Sequence, residues 1–92
     1  MGANLCNANL SHAVLKYANL EEAKIVGSSL EYASLDRADL QYADLTNSSL
    51  RYTSMSCADI TTTILTGTIL YKIFDLRISQ KNAELRGAIF ER

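Results

Sequence analysis

Residues 31–45 read EYASLDRADLQYADL, and the stretch repeats itself every five positions. Ala33, Ala38 and Ala43 recur, and so do Leu35, Leu40 and Leu45. An α-helix would scatter these leucines around its circumference, because its period of about 3.6 residues does not match five. A flat strand would send successive leucines to opposite faces, because five is odd and side chains alternate. A chain that bends every five residues satisfies the pattern. Each unit is then one short side, every leucine points inward, and the alanine two positions earlier also faces in, where room is scarce.

The pattern extends outward from this stretch in both directions. Every fifth residue from Leu5 to Leu70 is aliphatic, including Ile25, Met55, Ile60 and Leu65. The position two before each is small, from Ala3 through Ser28 and Ser48 to Thr68. Between them stand mostly Asn, Asp and Ser, such as Asn4, Asn9, Asn19, Asp39, Asp44 and Asp59. Short sides joined by regular bends close into coils, which stack as parallel strands about 4.8 Å apart. Backbone groups then pair with the coil above and the coil below, as in a solenoid.

The units GANLC, NANLS, YANLE, RADLQ and YADLT resemble the A(D/N)LXX pattern of pentapeptide-repeat proteins. The resemblance runs from residue 2 to 71 without a gap and resumes over 83–91. It implies an all-β fold, a right-handed quadrilateral parallel β-helix with four units, hence 20 residues, per coil. The 92 residues would make about 4.5 such coils.

A 20-residue coil can be checked within the sequence. Asn7, Gly27, Asn47, Gly67 and Gly87 fall in one column, and Gly and Asn are the residues that accept a positive φ. Type II turns are therefore expected down one edge, with another turn type at the other three. The same register sets Lys16 over Asp36, Lys24 over Asp44, Glu31 over Arg51, and Tyr17 over Arg37. The pattern breaks at 71–82, YKIFDLRISQKN, where the inward series would bury Asp75 and Gln80 at a cost. Leu85 and Phe90 return in phase. A bulge that turns Phe74, Leu76 or Ile78 inward is expected there, with a looped-out hairpin as the alternative.

The chain is short enough to be one domain, 1–92, and a compact core at this size is marginal. A net charge of −1 argues against nucleic acid and against a polybasic membrane surface. No apolar run approaches the roughly 20 residues that span a bilayer. No signal peptide is visible, and Cys6 stands where a myristoylation motif has Ser or Thr. Cys6 and Cys57 read as two reduced thiols, which points to the cytoplasm. The chain starts and ends inside repeats with no cap helix in view. The expectation is either a homodimer through exposed coil ends or a piece of a longer solenoid.

No residue set points to catalysis, a metal or a cofactor. His12, the only histidine, lies on a corner column with Tyr32, Tyr52 and Lys72. Asn19, Asp39 and Asp59 form a column read as carboxylates and an amide bonding turn backbone, with a weak cation site as the alternative. The candidate protein-interaction surface is His12, Tyr32 and Tyr52, with Tyr17 and Arg37 at the next corner, since tyrosine and arginine are favoured in interfaces. Stacking between coils explains such columns equally well. The expected function is a non-catalytic structural or protein-binding rod, its partner unspecified. The alternative implied by the resemblance is a DNA-mimicking binder of type II topoisomerase (DNA gyrase). Residues 1–71 hold seven acids and four bases, and residues 72–92 three acids and five bases. A net of −3 followed by +2 suits a mimic of DNA poorly.

Overall fold

The computed structural model describes residues 2–73 and 86–91. Parallel bridges join residues twenty apart on each of four sides. The first side carries Asn4, Lys24, Asp44 and Ile64, and the second carries Asn9, Ser29, Ser49 and Ile69. The third carries Val14, Ser34 and Ser54, and the fourth Asn19, Asp39 and Asp59. Two short strands, β1 (Ile69–Leu70) and β2 (Ile89–Phe90), pair in parallel and continue the second side. Each rung is a pair of axial hydrogen bonds. Leu30 N–H donates to Ser49 O at 2.8 Å, and Ser49 N–H donates to Ser28 O at 3.0 Å. The result is a quadrilateral parallel β-helix with 20 residues per coil.

The inward series is the core. Leu30, Leu35, Leu40, Leu45 and Leu50 are fully buried, and so are Ala23 and Ala43. In the first coil Leu5, Leu10 and Leu15 are only partly buried. Small polar residues enter the interior only with a partner. Thr53, Thr63 and Thr68 donate their hydroxyls to Leu30 O, Leu40 O and Leu45 O at 2.8, 2.7 and 2.7 Å. Each is a strut to the preceding coil, and no buried side-chain polar atom among the described residues lacks a partner.

The corners differ from the sequence expectation. Positive φ is not confined to the Asn/Gly column. It also occurs at His12, Tyr17, Glu22, Tyr32, Arg37, Tyr42, Tyr52 and Cys57, on the other three corners. Every such residue stands two after an inward aliphatic. The turn closes when the next N–H donates back, as Ala33 does to Leu30 O and Ala43 to Leu40 O, both at 3.0 Å. A corner N–H must also reach the next coil, as Tyr32 N–H reaches Arg51 O at 3.0 Å. This axial bonding imposes the type II form at all four corners, against a cost of about 1–2 kcal/mol per non-glycine residue. Two of the glycines also lie under an asparagine: a Cβ at Gly27 or Gly67 would crowd the side-chain Oδ1 of Asn7 or Asn47, which would have to swing aside. The amide of each asparagine lies over the glycine below.

Thr62 stands apart, since it does not take the positive φ of its column neighbours Glu22 and Tyr42. Its branched Cβ makes the left-handed region especially costly. Tyr42 N–H accordingly takes Thr62 Oγ1 as its acceptor, at 3.1 Å.

The Asn or Asp before each inward leucine also has a local task. Asn4, Asn9, Asn19, Asp39, Asp44 and Asp59 each accept a hydrogen bond from the N–H two residues on, at 3.0–3.1 Å. These amides point outward at the turn and would otherwise need water. At the far end, the Arg86 guanidinium donates to Ile60 O and Thr63 O. Asp75, Gln80, Phe74, Leu76 and Ile78, which decide between a bulge and a hairpin, lie outside the described residues.

Candidate interaction surface

The corner between the second and third sides carries the ring column. His12 and Tyr32 lie with centroids 5.0 Å apart and planes 4° from parallel, and Tyr32 and Tyr52 at 4.7 Å and 8°. The spacing follows from the fold. Each ring leaves the same turn position in successive coils, and the coil rise of about 4.8 Å falls within the stacking range. Tyr71, not Lys72, extends the rings, meeting Tyr52 edge-on at 5.3 Å and 85°. Lys72 Nζ lies 5.6 Å from the Tyr71 centroid. Burial and the neighbouring phenols Tyr71 and Tyr32 push the Tyr52 phenol above its usual value.

Tyr17 and Arg37 come together at the next corner, with Arg37 Cζ 5.8 Å from the ring centroid. Tyr17 is 72 % exposed and Tyr32 54 %. The five residues thus form two separate groups on adjacent corners, the ring column and the Tyr17–Arg37 pair.

Arg51 stands beside the ring column. It pairs with Glu31 at 2.9 Å, as the register expects. It also makes a two-pronged contact with Glu91, Nε to Oε1 at 2.6 Å and Nη2 to Oε2 at 2.7 Å. The second partner is forty positions away, two coils along the same column, with Tyr71 in the slot between them. The carboxylates of the other two expected charge pairs bond elsewhere, Asp36 into the next coil and Asp44 within its own turn. Asp36 accepts from Ser54 Oγ at 2.5 Å and Ser56 N at 2.9 Å. Those bonds hold its carboxyl below the usual range, with Lys16 a lesser influence. Asp44 accepts from Thr46, and no ion pair to Lys24 forms. Among the described residues, no group of His, Cys, Asp and Glu is arranged to hold a metal.

Hydrogen bonds from Arg51 hold both Glu31 and Glu91 below their ordinary value of 4.5. A carboxylate whose folded value is depressed stabilises above its unfolded value, and the contribution is lost as the pH falls through the folded one. The melting temperature of the wild type is therefore expected to fall more steeply between about pH 5 and pH 3 than that of Arg51→Gln. Equal slopes in a pH series of thermal melts would show that these contacts add nothing to stability.

The sequence profile of pentapeptide repeats matches residues 2–31 and 28–67, with 8 copies. The chain belongs to the pentapeptide-repeat family, whose fold is the right-handed quadrilateral β-helix. It is similar to the solved structure of Rfr23, a pentapeptide repeat protein from the cyanobacterium Cyanothece 51142, at 27% identity and a TM-score of 0.80. That match covers 99% of this chain and 58% of Rfr23, so the chain spans little more than half the length of that relative. HetL, a pentapeptide repeat protein involved in heterocyst differentiation regulation from Nostoc sp. strain PCC 7120, matches at 24% identity and a TM-score of 0.51. This covers 79% of this chain and 47% of HetL. QnrB1, a plasmid-mediated fluoroquinolone resistance protein, aligns at 20% identity and a TM-score of 0.47, over 94% of this chain and 39% of its own. No curated protein matches the chain significantly.

Proposed function

We propose that the chain is a non-catalytic protein-interaction module, a rigid rod that presents one edge to a protein partner. The observation that carries this reading is the ring column. Its stacked rings, exposed at His12 and Tyr32 and half-buried at Tyr52, are held at fixed turns, so they are already ordered before a partner arrives, and preorganised aromatic groups lose little entropy on binding. Tyr17 and Arg37 widen the same surface.

The filled interior supports a non-catalytic role, since Leu and Ala occupy the space where a substrate would sit. Two cysteines, Cys6 and Cys57, are too few for a disulfide framework, which suits the cytoplasm. Imitation of DNA finds little electrostatic support, because Arg51 neutralises two of the acids, Glu31 and Glu91, in direct pairs.

The test is quantitative affinity capture with three proteins of matched circular dichroism. These are the wild type, a variant with His12→Ser and Tyr32→Ser, and a Tyr42→Ser control on another corner, where Tyr42 is 60 % exposed. The expected result is a set of proteins lost with the first variant and retained with the control. Identical sets from all three would overturn the reading.

A further inference from the structure

We propose that the partner docks on the third side of the rod, between its two aromatic corners, and that what docks there is an acidic protein segment carrying an apolar residue. This rests on the reading of the ring column as an interaction surface and names the chemistry of its partner. The third side runs from the ring column to the Tyr17–Arg37 pair. Three large apolar side chains stand out along it: Val14 is 76 % exposed, Tyr17 72 % and Tyr32 54 %. The other exposed ones, Tyr42, Ile64 and Ile89, are scattered over the remaining sides and corners. Beyond Val14 the outward positions of the third side hold Ser34 and Ser54, both half-buried. The side is thus a shallow trough, with rings along one wall and Tyr17 and Arg37 along the other.

The charges around the trough decide its occupant. Its acids are already engaged. Asp36 accepts from Ser54 Oγ and Ser56 N–H, with Ser34 Oγ 3.5 Å from its other oxygen. Glu31 and Glu91 are paired with Arg51. Its other cations are different. Lys16 and Arg37 are exposed one coil apart on the same corner, and neither forms an ion pair among the described residues. The Arg37 guanidinium rests by the Tyr17 ring and the Lys72 ammonium by the Tyr71 ring. A cation held on a ring keeps its charge and its free N–H donors. The remaining acids among the described residues, Glu21, Glu22, Asp39, Asp44 and Asp59, belong to the fourth and first sides and the corner between them. The trough therefore offers apolar contact and unpaired positive charge together. A segment with carboxylates on either side of an apolar side chain matches both. A nucleic acid suits it less, because three cations neutralise few phosphates and the acids of the adjoining fourth side repel the rest.

Amide shift mapping by NMR on the full chain tests this with three probes. The first is a short blocked peptide of glutamates around a leucine, the second its counterpart with lysine for glutamate, and the third an oligothymidylate. The glutamate peptide, at millimolar concentration and low salt, should move the amides of Tyr32, Ser34, Asp36 and Arg37 and leave Lys24 and Asp44, on the opposite side, in place. Its binding should weaken about three- to tenfold in a variant with Lys16→Gln and Arg37→Gln, and should fade as salt is raised. A glutamate peptide that moves none of these amides would overturn the proposal. So would a lysine peptide that moves them equally, or an oligothymidylate that binds there more tightly. If the ring-column variant loses captured proteins while the glutamate peptide is silent, the interaction surface stands and only the acidic partner is wrong. Unchanged capture together with a silent peptide would overturn both.

Discussion

Leu40→Ala is expected to cost about 2–5 kcal/mol of stability, read as a lowered midpoint in urea unfolding followed by circular dichroism. Leu40 is fully buried between Leu20 and Ile60 in the adjacent coils. Its backbone is occupied independently of the side chain: the N–H donates to Asp59 O at 3.1 Å, and the carbonyl accepts from Ala43 N–H and the Thr63 hydroxyl. The substitution therefore removes only side-chain contacts. Axial hydrogen bonds fix the distance between coils, so the walls of the new cavity cannot close on it, and the cost should lie in the upper part of the range. Leu10→Ala is the comparison. Leu10 lies in the first coil and is only partly buried, so the same truncation should cost well under half as much. A loss below about 1 kcal/mol at Leu40 would mean that the coils do collapse inward.

Ala43→Leu should destabilise by the opposite route, by about 1–3 kcal/mol or more. Ala43 is fully buried, with Ala23 and Thr63 in the same column, and the backbone rungs to both neighbouring coils allow no expansion. The side chain can enter only if a rung breaks or the aliphatic core shifts. Ala43→Ser is the informative partner. The equivalent Ser48 donates its hydroxyl to Ile25 O in the preceding coil, and a hydroxyl at 43 would find Leu20 O in the corresponding place. That variant should stay within about 0.5 kcal/mol of the wild type. If both variants melt with the wild type, the interior is less tightly packed than its burial indicates.

The core was legible because it has one rule. An odd period of five forces a bend, and the residue sizes at two positions in five state which way the side chains face. The Glu31–Arg51 pair and the Tyr17–Arg37 contact followed from stacking residues twenty apart. The corners were not legible in the same way. Glycine and asparagine advertise a positive φ, but Tyr32, Arg37 or Glu22 at the same turn position give no sign of it. Their conformation is set by the hydrogen bonds each coil must make with the next, which is a property of the stack and not of the local sequence. Thr62 shows the converse, a side chain that overrides the stack locally. Of the candidate surface, the ring column was visible up to Tyr52. Its continuation through Tyr71, and the reach of Arg51 to Glu91, depend on a ring that leaves the slot its position assigns.

The independence of the core from the four side columns has a consequence for how such a chain can change. Inserting or removing one whole unit of five leaves every inward position filled as before, because the interior does not distinguish one side from another. What changes is direction. Everything beyond the insertion turns by a quarter revolution about the axis, and the rings of Tyr32 and Tyr52 would fall into line with those of a neighbouring edge. Insertions of four units restore the original alignment. The rod thus behaves as a dial with four settings, on which the surface can be re-indexed without rewriting the interior.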